Sequence, residues 1–121
     1  MKNNRRLVRI NDEVRNEIAG IIRSDLHDPR ISTIASVIKA DVTNDLKYCK
    51  VYISILGNDE QKREAMEGIN SAAGFIRKLL AERINLRQTP ELKFIYDDTI
   101  EYGMKISKII DEISPHEQKE E

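Results

Sequence analysis

Ala72-Ala73-Gly74-Phe75-Ile76-Arg77 is the stretch on which the fold turns. It falls where one amphipathic helix should end and another begin, because glycine tolerates backbone conformations that a helix interior does not use. Upstream, Gly57-Asn58 breaks a strand and Asn58 stands where it can cap a helix running to about Ser71, whose positive N-terminal end suits Asp59 and Glu60. Downstream, Ile76, Leu79, Leu80 and Ile84 make an apolar sector, with Arg77, Lys78 and Glu82 pointing roughly the other way. A bend at Ala72-Ala73-Gly74 is therefore expected between two helices. Arg83 falls on the apolar azimuth near the end of the second, where it can lay its stem on the core and reach outward or toward the last carbonyls.

Further out, Leu7, Ile10, Val14, Ile18, Ile21 and Ile22 recur at three- and four-residue steps, which predicts a helix from Arg5 to Leu26. Arg5, Arg9, Asn16 and Arg23 share its opposite face. Asp28-Pro29 should end it, since the residue before proline is biased away from the helical region. Between Ile31 and Val42 β-branched residues predict a strand, with Ile34, Ile38 and Val42 on one parity and Thr33, Val37 and Lys39 on the other. Thr43-Asn44-Asp45 supplies a turn, and from Leu46 to Leu56 a second strand follows in which Cys49, Val51, Ile53 and Ile55 alternate with Tyr48, Lys50, Tyr52 and Ser54. Leu92, Phe94 and Tyr96 mark a short third strand, Asp97-Asp98 stops it, and a last helix carries Ile100, Met104, Ile106, Ile109, Ile110 and Ile113. The order is α-β-β-α-kink-α-β-α. That is an α+β domain over residues 1–113, its helices packed on one face of a small mixed sheet, followed by an acidic, disordered tail at 114–121.

The formal net charge of -1 hides a basic body. Asp111, Glu112, Glu117, Glu120 and Glu121 against Lys119 give the last stretch -4, so residues 1–110 carry +3. A lone Cys49 excludes an internal disulfide, no apolar run is long enough to span a bilayer, and the start of the chain lacks a leader pattern. The expected location is cytoplasmic, with no membrane. Catalysis is not expected: Asp97 and Asp98 read as cap residues, since acid–base pairs need convergent side chains, and His27 and His116 have no Cys or His at metal-ligand spacing. No phosphate-binding glycine loop appears either, so no cofactor and no small-molecule substrate are expected.

Asp28-Pro29-Arg30, Lys50-Val51-Tyr52-Ile53-Ser54, Ala72-Ala73-Gly74-Phe75-Ile76-Arg77, Leu86-Arg87-Gln88-Thr89-Pro90-Glu91-Leu92 and Tyr96-Asp97 together resemble the bacterial ribosome-binding factor A family, in order from the first helix to the last. The resemblance implies a type II KH-like fold in which an Ala-x-Gly kink, here Ala72-Ala73-Gly74, replaces the usual Gly-x-x-Gly loop. It implies a non-catalytic assembly factor that binds the free small (30S) ribosomal subunit and its 16S rRNA, assisting late maturation and rRNA processing. The protein is expected to act as a monomer.

A KH loop uses two glycines to clamp about four nucleotides, whereas this kink has one, which favours phosphate contact and shape over single-strand clamping. The other role for the glycine is to let two helices approach. For RNA contact the candidates are Arg5, Arg6 and Arg9 on the first helix and Arg77, Lys78, Arg83 and Arg87 around the third, because guanidinium groups bind phosphate in bidentate fashion. A solvated helix face would account for the same charges. Lys39 and Lys50 are weaker candidates, and Tyr48 and Tyr52 can stack on bases if their sheet face is open. Two other classes compete: a DNA-binding helix-turn-helix formed by the kinked helix pair, and a small enzyme using Asp97 and Asp98.

Overall fold

The computed structural model describes residues 2–32 and 34–113. Helix α1 (Lys2–Gly20) continues into a π-helical turn (Ile21–Asp25), so the predicted first helix is present at nearly its full length. Val14, Ile18, Ile21 and Ile22 are buried and Leu7 and Ile10 half-buried, while Arg5, Arg9, Asn16 and Arg23 lie in solvent. Past Asp28 the chain departs from expectation. Ile31 does not begin a strand but sits in a short helix, α2 (Pro29–Ser32). Proline at a first helical position gives up an N–H that would have had no partner, and the Asp28 carboxylate accepts from the Arg30 amide at 3.1 Å. Ile31 is thereby turned into the core, and a Cβ built on Gly68 would come within 2.7 Å of its Cδ1.

Strands β1 (Ala35–Val42) and β2 (Tyr48–Ile55) pair antiparallel, and β3 (Glu91–Tyr96) pairs parallel with β2, giving a mixed sheet in the order β1-β2-β3. A bulge between Val37 and Lys39 overturns the predicted parity of β1. Ile38 is the extra residue, so the buried set becomes Val37, Ala40 and Val42. Thr33 lies outside the described residues. The Asn11 side chain of α1 accepts from the Val42 amide at 2.9 Å, which ties the helix to the sheet edge and satisfies a donor with no strand partner on that side.

Cys49, Val51, Ile53 and Ile55 of β2 are almost fully buried and stand in register with Leu92, Phe94 and Tyr96 of β3 and with Ala35, Val37, Ala40 and Val42 of β1. At about 1.5–3 kcal/mol for each large apolar side chain buried, this row is the main source of stability in the sheet. Burial pushes the Cys49 thiol up to about 11, which keeps it protonated and unreactive near neutrality.

A parallel pair needs a crossover, which here consists of α3 (Asp59–Ser71) and α4 (Ala73–Arg83). Asn58 caps α3 as anticipated, and a full capping box forms: its side chain accepts from the Gln61 amide at 2.8 Å while the Gln61 side chain accepts from the Asn58 amide at 2.8 Å. Helix α5 (Thr99–Ile113) follows β3. Asp97 accepts from the Thr99 amide at 2.8 Å and from its hydroxyl, so this carboxylate serves as a helix-entry cap and is held below the usual carboxylate range by those bonds. The described apolar side of α5 faces water, with Ile106, Ile109 and Ile110 at 37%, 42% and 51% exposure. The tail at 114–121 lies outside the described residues.

Gly57 has φ 151°, and a Cβ there would meet the Gln61 side-chain oxygen at 2.6 Å. Gly57→Ala should therefore break the capping box as well as strain the backbone, costing about 1–3 kcal/mol in urea denaturation with an unchanged slope. A loss below about 0.3 kcal/mol would contradict this account of the α3 entry.

Candidate nucleic-acid interface

The kink is tighter than a loop. Only Ala72, at φ -92° and ψ 4°, leaves helical geometry, and the Ile76 amide already donates to the Ala72 carbonyl at 2.9 Å. Gly74 is exposed and helical, and a Cβ built on it meets nothing within 4 Å. It permits neither an unusual φ nor a close helix approach; the glycine that admits close packing is Gly68, in the preceding helix. What Gly74 leaves is bare backbone beside Arg77, Lys78, Ala81 and Thr89, which line a shallow depression with it.

The seven cationic candidates divide into two groups. Arg77 donates from Nε to the Pro90 carbonyl at 3.1 Å and from a terminal guanidinium nitrogen to the Thr89 carbonyl at 2.9 Å, so it holds the loop that leads into β3. Arg83 forms an ion pair with Asp25 at 2.8 Å, fastening the end of α4 to the π-helical turn. That bond holds the Asp25 carboxyl below its ordinary value and raises Arg83. Arg5, Arg6, Arg9, Lys78 and Arg87 are exposed and make no hydrogen bond or ion pair among the described residues.

The fold brings Arg6 and Arg87 together although 81 positions separate them. With Leu7, Ile10, Asn44 and Leu46 they line one cavity of about 180 Å³. Its walls come from three places: the start of α1, the β1–β2 turn and the loop between α4 and β3. Arg87 stands two residues from Thr89, which borders the depression at Lys78, so the α4–β3 loop joins the two features. Periodicity along the sequence pointed to the charges on α1 and α4, but nothing local signalled that Asn44 and Leu46 would stand beside them.

On the sheet face away from the helices, Tyr48 is 56% exposed and Lys39 lies 4.9 Å above the Tyr52 ring. This face is open at Tyr48 and covered by a cation at Tyr52, an arrangement that stabilises both side chains. Among the described residues, no group of three His, Cys, Asp or Glu side chains is placed to hold a metal ion, and no helix is long and apolar enough to cross a membrane.

Comparison with known proteins adds an independent line. A family model described as Ribosome-binding factor A matches residues 6–110. A Lachnospira eligens ribosome-binding factor A is 48% identical, the match covering 98% of this chain and 91% of the relative. The crystal structure of ribosome-binding factor A from Thermus thermophilus superposes with a TM-score of 0.66 at 22% identity, covering 74% of this chain and 94% of the other. A Thermus thermophilus homology model fitted into a cryo-EM map of a 30S complex superposes at 0.61 and 23% identity, covering 73% and 91%. These two structures share the fold.

Since Gly74 uses neither conformational freedom nor space, Gly74→Ala should raise stability by about 0.5–1 kcal/mol through lower unfolded-state entropy, as read in thermal denaturation. A loss of more than about 1 kcal/mol would mean that the glycine is structurally required.

Proposed function

The chain belongs to the ribosome-binding factor A family, and on that premise we propose that it binds the free small ribosomal subunit through its RNA, acting as a non-catalytic cytoplasmic factor in late maturation and rRNA processing. The binding domain is taken as residues 1–113, acting as a monomer, with the acidic stretch at 114–121 outside it. The related Thermus thermophilus protein is the one fitted as a homology model in a 30S complex, and the same partner is assigned here.

The observation that carries the reading is the convergence of Arg6 and Arg87, with Arg5, Arg9 and Lys78 near them along the chain or the loop, all exposed and without a protein partner among the described residues. Guanidinium groups not engaged by carboxylates leave their N–H forks free for phosphate oxygens. Arg77 and Arg83 contribute indirectly. Arg77 fixes the loop that carries Arg87, and Arg83 fixes the helix that carries Lys78. The kink sets the direction of α4 and hence where its exposed side and the following loop stand.

Binding through phosphates releases counterions, so affinity must fall as salt rises. Sedimentation with purified small subunits should show at least a tenfold loss between roughly 50 and 200 mM monovalent salt. The double reversal Arg6→Glu/Arg87→Glu should lower affinity by at least a further tenfold at low salt and flatten the salt dependence. Binding that ignores both salt and the double reversal would remove this face from the interaction.

A further inference from the structure

The cavity between α1, the β1–β2 turn and the α4–β3 loop has a composition that simple phosphate binding does not require. Two cations at its rim suit phosphates, yet Leu7, Ile10 and Leu46 form an apolar wall, and Leu46 is buried. A surface built only for phosphate would have no use for that wall. Leu46 also takes φ 62°, a left-handed conformation that a branched side chain rarely adopts. The turn holds it there: the Leu46 amide donates to the Thr43 carbonyl at 2.9 Å, and Asp45 accepts from the Thr43 hydroxyl at 2.7 Å and from the Lys47 amide at 3.0 Å. Strain of this kind persists only where the surroundings impose it, and such positions concentrate at binding sites.

Resting on the RNA-binding reading above, we infer that this cavity seats one unstacked base of the RNA, with Leu7, Ile10 and Leu46 against the ring and Arg6 and Arg87 on the adjoining backbone. At about 180 Å³ it is smaller than the roughly 300–1,000 Å³ of pockets that enclose whole small molecules, which suits a single base and not a free cofactor. Asn44 stands at the rim with an amide that both donates and accepts, and it makes no hydrogen bond among the described residues, so it is available to a base edge. The lining includes no aromatic ring, so the base rests on the aliphatic side chains of Leu7, Ile10 and Leu46 while the two guanidinium groups stay with the backbone phosphates. A paired base cannot enter. The surface therefore selects RNA with a bulged or unpaired nucleotide next to a helix whose phosphates meet the remaining cations.

The test uses three synthetic RNA hairpins: fully paired, with one bulged adenosine, and with that bulge made abasic. Fluorescence anisotropy with the full-length protein at low salt should show the bulged hairpin binding at least tenfold more tightly than the paired one, and the abasic hairpin falling back to the paired level. Leu46→Gly fits the positive φ and removes one of the three apolar side chains of the wall, and Asn44→Ala removes the rim amide without disturbing a described bond. Each should reduce the advantage of the bulge severalfold while leaving the paired hairpin unchanged, with circular dichroism confirming the fold. Equal affinity for the three hairpins by a protein that still sediments with small subunits would overturn the base pocket and leave the ribosomal reading intact. Discrimination that survives both substitutions would place the base elsewhere and overturn the inference too. Failure to bind subunits and hairpins alike would overturn both readings.

Discussion

The parallel pairing of β3 with β2 is the constraint from which the rest of the structure follows. β2 lies in the centre, antiparallel to β1 on one side and parallel to β3 on the other, with Cys49, Val51, Ile53 and Ile55 nearly inaccessible. A hairpin connects antiparallel neighbours, but a parallel neighbour must be reached by carrying the chain back across the sheet. Helices α3 and α4 do this, burying Ala65, Ile69, Ile76 and Leu80 as they cross. The α4–β3 loop must then arrive at the end of the sheet where β2 begins, and the Glu91 amide fixes it there by donating to the Lys47 carbonyl at 2.8 Å. The start of α1 borders the same end, so Arg6 meets Arg87 as a consequence of the topology.

The kink has a different part in this scheme from the one its glycine suggests. Ala72 alone breaks helical geometry, and Gly74 needs neither an unusual φ nor empty space around it. Ala72-Ala73-Gly74 acts by redirecting the chain between two legs of the crossover. Arg77 and Arg83 then secure the second leg at its loop and at the π-helical turn. The Arg83–Asp25 pair is partly exposed, where an ion pair contributes little to global stability, about 0–1 kcal/mol, and the two Arg77 bonds are hydrogen bonds to loop carbonyls. Their effect is on position: they hold the segment that carries Lys78 and Arg87, cations without a protein partner among the described residues.

Much of the fold was legible because its signals are local. The 3.6-residue rhythm of Leu7 to Ile22, the two-residue rhythm of Cys49 to Ile55 and the cap at Asn58 each lie within a few residues of the structure they specify. The failures have physical reasons as well. Ile31 is β-branched and reads as strand, but Pro29 and the Asp28 cap impose a helical turn, and packing against Gly68 rewards it. Ile38 matches the parity of Ile34 and Val42, but a bulge inserts it as an extra residue, which no local pattern announces. The site was legible only in part. Charge singles out Arg5, Arg6 and Arg9 and helical face only Arg5 and Arg9, whereas the partner of Arg83 is 58 residues away and the companions of Arg6 come from two distant loops. Leu46 reads as the first residue of a strand, and only its backbone angle shows it to be part of a turn.

The central claim is that the end of the sheet shared by α1, the β1–β2 turn and the α4–β3 loop is the face that meets the small subunit. Hydrogen–deuterium exchange of the protein, free and bound to small subunits, tests it most directly. The account predicts slowed exchange concentrated in residues 5–10, 43–48 and 84–90, with the exposed side of α3 from Asp59 to Glu67 unchanged. Slowing confined to α3, with those three segments unaffected, would contradict it.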